Sequence, residues 1–599
     1  MEKEKNRSEI DVKDTWNLSK IFKTDKEFEE AFGSIDELVN KVVSFKGKIM
    51  KSSDSLYNFY ISYEKMDRLL TKLFMYASLN RDADTTNTKN QALKMRVLKK
   101  NEDISNATSF ISSEMLSVDY NLVLSYIKED KRLEEYAFDL EKTFRYKDHT
   151  LSESEEAIIT LATNAMGTGG DAFNYIDNTD INLGEIKDSE GNLVKLTNSN
   201  YIKYMNSKDR SVRIDAFTHM YKYFEGLRNT VSACLKGNIK ENFFLSRVKK
   251  YSSPLEASLY SDNIDISVYR NLIEVVHDNM NLMYDYMALR KKVLQLDELH
   301  MYDIYMDLVR IDNDDIPFEK GKEIVFNALK PLGDTYINDL KKAFDERWID
   351  IYPNKGKKSG AYSWGSYDTY PYLLLNYNNT TDSVVTMAHE LGHSMHSYYS
   401  DKNQNYFTSQ YSIFLAEIAS TVNEVLLNDY MYKNAKDNKE KAFYLTEMLD
   451  KIRTTIYRQT MFAEFEMIMH DKEDKGIPLT EEEFSNTYYN LNKLFYGDNV
   501  VSDHLIRYEW ARIPHFYTSF YVYKYATGLS AALAIATDIL NEKEGARDKY
   551  LEFLSSGSSD YPLNILKKVG VDMTTKEPIE KALKVFKDKL EELKKLVWK

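Results

Sequence analysis

One cysteine, Cys234, stands in 599 residues, so no disulfide framework can form within the chain and a reducing compartment is expected. That thiol has no reactive context, and its expected role is a small buried apolar group. Proline (9) and glycine (21) are scarce, which suits long helices better than a β-sandwich. Long apolar runs are missing. The longest near the end, Leu529 to Leu540, is too short and too polar to span a bilayer. The opening residues, Met1 to Ser8, are charged and lead into no apolar segment, so no signal peptide is expected. No basic cluster is long enough to reverse the acidic balance either. With 80 Lys and Arg against 94 Asp and Glu the net charge is −14, and neither nucleic acid nor a membrane is the expected partner. These absences point to a cytoplasmic protein.

What is present is helical periodicity. Phe28, Phe32, Ile35, Leu38 and Val42 form one apolar stripe, and Leu56, Phe59, Tyr63, Met66 and Leu70 form another. Residues 1–20 before them read as a mobile leader. Met166 to Asp171 is glycine-rich but lacks the Gly-Lys-Ser/Thr ending of a phosphate loop, and is expected to be a plain loop. Ile181 to Thr197, with a turn at Asp188 to Asn192, reads as a β-hairpin. A domain boundary is expected just after it, giving an N-terminal helical domain over 1–198 and a catalytic domain over 199–599. A long helix follows from about Ser211 to Arg247, and Met301 to Val309 reads as a short extended segment. Two short strands are expected over 361–364 and 372–377. Further helices are expected over 381–400, 411–433, 437–471, from Thr480, and from Thr574 to Val597. The expected fold is mainly α, with a small sheet beside the helix at 381–400.

That helix carries the chemistry. Thr380, Thr381 and Asp382 are capping candidates, and His389-Glu390-Leu391-Gly392-His393 follows. On a helix His389 and His393 share one face and can grip one zinc ion. Glu390, about a hundred degrees around, can take a proton from a water on the metal without occupying a ligand position. Three of the ten histidines fall within eight residues here.

A catalytic zinc needs a third protein ligand and an open position. One known arrangement places glycine and then a third histidine at three-residue steps after the motif. Those positions hold His396 and Tyr399, which excludes it. The remaining option is a carboxylate from the next helix. Glu417 and Glu424 lie seven apart on one face, and Glu417, in the more apolar stretch, is taken as the ligand. Glu424 can then orient a histidine, and His396 is left as a supporting or packing residue.

Two further stretches are candidates for holding substrate. The strand edge that begins at Gly360, Ala361 and Tyr362 could bind an extended peptide by main-chain hydrogen bonds. Trp510 to Gly528 offers His515, Tyr517, Tyr521, Tyr523 and Tyr525 as neutral donors to a developing oxyanion, and spacing does not select among them.

Several separate motifs in order carry a resemblance over nearly the whole chain. They are Thr15-Trp-Asn-Leu, Gly356 to Gly365, Ala388 to His396, Ala416-Glu-Ile-Ala-Ser and Trp510 to Tyr517. The sequence resembles bacterial oligoendopeptidase F, of the thimet oligopeptidase superfamily of zinc peptidases. The resemblance implies an elongated, clam-like helical body with zinc deep in a channel that admits short unfolded peptides. It implies His389, His393 and Glu417 as ligands and Glu390 as general base. It matches Tyr523 to a residue that contacts the tetrahedral intermediate, with His515 and Tyr517 nearby. Phe520 stands where another tyrosine is expected, and Tyr521 adjoins it.

The expected function is a zinc endopeptidase acting on short oligopeptides, with one Zn2+ per chain. Two alternatives remain at this point: a carboxypeptidase or dipeptidyl carboxypeptidase on a related helical fold, and a non-catalytic peptide-binding protein.

Overall fold

The computed structural model of the chain describes residues 5–311 and 315–597. Helix takes up 71% of the described residues, and the strands are pieces of two or three residues, so the fold is mainly α. Among the described residues no helix is long and apolar enough to cross a membrane.

The chain forms two compact units. One comprises Met1–Asp148, Asn313–Tyr430 and Ile535–Gly570; the other comprises His149–Asp312, Met431–Ala534 and Val571–Lys599. The expected division after residue 198 is not among these crossings. Turn signals mark where elements end, whereas units are set by contacts distant in sequence.

In the first unit the leader is pinned rather than mobile. Arg7 donates to the buried carboxylate of Asp350 at 2.8 Å, and Trp16 is buried edge-on to Tyr372. Residues 1–4 of that leader lie outside the described residues. The two apolar stripes do form helices. Phe28, Ile35 and Val42 are buried on Asp25–Val43, and Leu56, Phe59, Met66 and Leu70 on α1, Ser53–Ala83.

Three strands lie beside this core: β1 (Ile349–Asp350), β2 (Tyr362–Trp364) and β3 (Tyr372–Leu374). β3 is central, parallel to β1 and antiparallel to β2, with Ser363 opposite Leu373. β2 is therefore an edge strand. Helix α2 (Thr381–Asn403) starts where Thr380 accepts a hydrogen bond from the Ser383 N–H at 3.2 Å. Helix α3 (Ile413–Lys433) follows a short turn of helix at Tyr406–Ser409.

In the second unit the expected hairpin pairs Glu185–Lys187 with Leu193–Lys195, and the expected long helix runs Arg210–Val248. The segment expected as a glycine loop is helical, split between Glu153–Met166 and Thr168–Asn174. A Cβ on Gly169 would stand 3.1 Å from the Cys234 carbonyl oxygen, so here glycine serves close helix packing rather than a turn. The extended segment expected at Met301–Val309 is also absent. Only Leu299–His300 is a strand, paired with Val500–Val501.

Candidate metal centre

α2 presents His389 and His393 one turn apart, with their Nε2 atoms 3.2 Å from each other. α3 brings Glu417 to both: its Oε2 lies 3.5 Å from His389 Nε2 and 3.6 Å from His393 Nε2. Ligands held about 2.0–2.1 Å from one ion at tetrahedral angles lie about 3.3–3.4 Å apart, so this spacing fits a single zinc.

The protons are arranged for the same purpose. Glu424 Oε1 stands 2.6 Å from His389 Nδ1, which places the ring proton there and leaves a lone pair on Nε2. His393 donates to the Ala416 carbonyl, and burial lowers its pKa, so it too is neutral. Two lone pairs and a carboxylate thus converge on a point with no proton among them. A cation is the group that satisfies such a set. Apolar surroundings, the ground on which the sequence favours Glu417, are not what selects it: Glu417 is 45% exposed and Glu424 10%. Position on the helix face brings Glu417 to the imidazoles.

Gly392 makes the approach of the two helices possible. A Cβ there would meet Ser420 Cα at 2.6 Å and the Ala419 carbonyl oxygen at 2.8 Å. Asn423, fully buried, adds a hydrogen bond from its amide to the Ala388 carbonyl at 3.0 Å. Ser420 Oγ donates to Glu417 Oε2 at 3.1 Å and holds the carboxylate toward the histidines.

Glu390 is 7% exposed. Burial pushes its pKa up to about 7; Glu417 adds to the rise, while His389 and the Ser363 backbone N–H oppose it. A carboxyl group near neutrality is suited to taking and returning a proton. Ser363 belongs to β2, and its hydroxyl also meets Ser394 Oγ at 2.8 Å, so the edge strand is fastened to α2 beside Glu390. Tyr362 donates to Asp82 at 3.1 Å, and Gly360 adopts a left-handed φ of 81° with nothing close to its Cα face. Ala361 joins them at the strand's start.

A model of peptidase family M3 matches residues 203–585, and a model of oligopeptidase F matches residues 114–182. The chain belongs to peptidase family M3. Oligopeptidase PepF of Bacillus subtilis is 42% identical over 593 residues, covering 99% of this chain and 88% of that protein. The crystal structure of oligoendopeptidase-F from Enterococcus faecium is 35% identical with a TM-score of 0.73, covering 96% of this chain and 99% of that one. A candidate peptidase from Chlamydophila abortus is 39% identical with a TM-score of 0.93, covering 99% and 100%. As an M3 family member of the oligoendopeptidase F type, the chain is a metalloendopeptidase.

The aromatic segment of this M3 peptidase lies in the second unit. His515 Nε2 stands 3.2 Å from Tyr525 Oη, and Tyr521 packs edge-on to Tyr525 at 5.4 Å, so these three form one cluster. Tyr517 and Tyr523 stand elsewhere. Tyr517 is stacked on Phe173 at 4.3 Å with a buried hydroxyl that has no partner among the described residues, and Tyr523 is fully buried against Tyr269. His396 is buried too, stacked 3.5 Å from Tyr411, with neither ring nitrogen hydrogen-bonded. It is a packing residue.

Sequence reasoning missed Asn423, Ser420, Ser363 and Ser394. Their only signal was polarity inside apolar helical or strand stretches.

Proposed function

We propose that this M3 peptidase is a zinc-dependent endopeptidase that hydrolyses internal bonds of short unfolded oligopeptides, holding one Zn2+ per chain. The observation that carries the reading is the convergence of His389 Nε2, His393 Nε2 and Glu417 Oε2 at 3.2–3.6 Å beside the buried carboxyl of Glu390.

When bound, zinc lowers the pKa of coordinated water toward about 7 and polarises a carbonyl. Glu390 accepts the proton of the attacking water and delivers it to the leaving amine. Glu424 keeps the His389 proton on Nδ1 throughout. The outer edge of β2, with Gly360 and Ala361 leading into it at Tyr362, lines up an extended peptide through main-chain hydrogen bonds. His515 and Tyr523 are the residues proposed as donors to the substrate carbonyl, and Tyr517 and Tyr521 as substrate contacts, on the strength of the resemblance. One buried cysteine in the whole chain supports action in the reducing cytoplasm.

Glu390→Gln tests the reading. Zinc content by mass spectrometry should match wild type, and cleavage of an end-blocked quenched fluorescent peptide should fall by about 10²–10⁴. Wild-type rates in that variant refute the role of Glu390. Cleavage only of peptides with a free C-terminus would mark a carboxypeptidase or dipeptidyl carboxypeptidase, and binding without any cleavage a non-catalytic protein.

A further inference from the structure

The first unit contains a cavity of about 530 Å³ that the catalytic groups do not use. Its walls are aromatic, with Tyr63, Trp364, Tyr367, Tyr406 and Phe407 among them. Two carboxylates, Asp67 and Asp139, line it as well. Aromatic faces with acids at hand form an environment for an organic cation, because the ring quadrupole and the carboxylate attract the same charge.

The two carboxylates are half-buried and thinly paired. Asp67 accepts one hydrogen bond, from Tyr406 Oη at 2.6 Å, and no cation among the described residues pairs with it. Asp139 accepts from Tyr60 Oη at 3.0 Å, and its nearest cation is Lys142 Nζ at 3.8 Å. Burial raises the pKa of both acids. Asp67 has no cation paired with it among the described residues and Asp139 has only the distant Lys142, so a cation entering the cavity would add an attraction to both half-buried carboxylates. The Arg68 guanidinium, bonded to Glu64 and Asp368, lies 4.9 Å from the Tyr367 ring centre and 6.0 Å from that of Tyr406.

The position of the cavity connects it to the metal centre. Trp364 ends β2, and Gly365 and Ser366 line the cavity directly after it. The Ser363 N–H that faces Glu390 is three residues before Ser366. Three residues span at most about 10 Å, and here the strand ends at Trp364 before a turn at Ser366. A peptide lying along this edge would bring a side chain to the cavity within about four residues of the cleaved bond.

We infer that this cavity is a subsite that takes the guanidinium or ammonium group of an arginine or lysine side chain in the peptide substrate. The assignment to substrate rests on the peptidase reading above.

The probes are end-blocked peptides that differ only in arginine, its neutral isostere citrulline, or phenylalanine at one position, scanned along the sequence. Binding is measured first, by fluorescence anisotropy on chelator-treated wild type, so cleavage is not needed. At one position, on one side of the scissile bond, arginine should bind about tenfold tighter than citrulline or phenylalanine. In Asp67→Asn and in Asp139→Asn the arginine-to-citrulline ratio should fall toward one. Taking the ratio within one preparation cancels any loss of folded protein. Equal binding at every position, tighter phenylalanine, or an unchanged ratio in both variants would overturn the proposal. Zinc-loaded protein that binds arginine selectively yet cuts none of the peptides would instead sink the peptidase reading alone. In loaded wild type the same preference should appear in KM rather than in kcat.

Discussion

Glu424 and His389 share a hydrogen bond of 2.6 Å on the Nδ1 side of the ring, opposite the nitrogen that faces Glu417. This contact decides where the imidazole proton sits, and so which nitrogen is free for an ion.

Removing that contact should therefore weaken metal binding without removing a ligand. Glu424→Ala is expected to reduce zinc affinity by about 10–100-fold, measured by competition with a chromogenic chelator. Wild-type affinity in the variant would show that the ring needs no such support.

Gly392 predicts a packing effect. Alanine there would drive its methyl into the backbone of α3, with Ser420 Cα 2.6 Å away and the Ala419 carbonyl oxygen 2.8 Å away, and α3 would have to move. Overpacking of this kind costs about 1–3 kcal/mol, more than the ~1 kcal/mol that alanine gains in helix propensity. Gly392→Ala should lower Tm and lose zinc. The control is Gly33→Ala on the helix Asp25–Val43, where nothing stands within 4 Å, and Tm should stay or rise.

Glu466 gives stability a pH dependence. It accepts the Phe520 N–H at 3.0 Å, and burial pushes its pKa from 4.5 up to about 8. Its folded pKa is raised, so its contribution is fully present below about 4.5 and is lost as pH rises through about 8. The difference in Tm between wild type and Glu466→Gln, scanned from about pH 5 to 9, should shift steadily in favour of the variant as pH rises. A difference that does not change with pH contradicts this.

Chelation should destabilise the first unit. Without an ion, two lone pairs and a carboxylate face one another, and a ligand that binds only the folded state raises stability by RT ln(1 + [L]/Kd). Tm should fall with a chelator and recover with zinc, and Glu390→Gln should show the same shift because it keeps all three ligand groups. Equal Tm in both states would argue against a filled site.

Much of this was legible in sequence because it is local. Helix periodicity set the apolar stripes, Thr380 and the run after it set the start of α2, and four-residue spacing put His389 and His393 on one face. The reading failed where long-range packing decides. Gly169 looked like a loop residue, but its role is to let a helix approach Cys234. Residues 5–20 looked like a tail, but Arg7 reaches a carboxylate more than three hundred residues away. Spacing did not select among the aromatics after Trp510, and only packing places Tyr523, at the start of the helix Tyr523–Leu540, in the core.

The sequence by itself determined the helical class, the imidazole pair and the adjoining carboxylate, since each depends on residues within one or two turns of each other. Only the tertiary structure decided how Glu417 and Glu424 divide their tasks on one face of α3. It also decided which aromatics stay off the core, and that Asp67 and Asp139 meet in one cavity. Those outcomes depend on which surfaces come together across the chain, and no local pattern of residues encodes them.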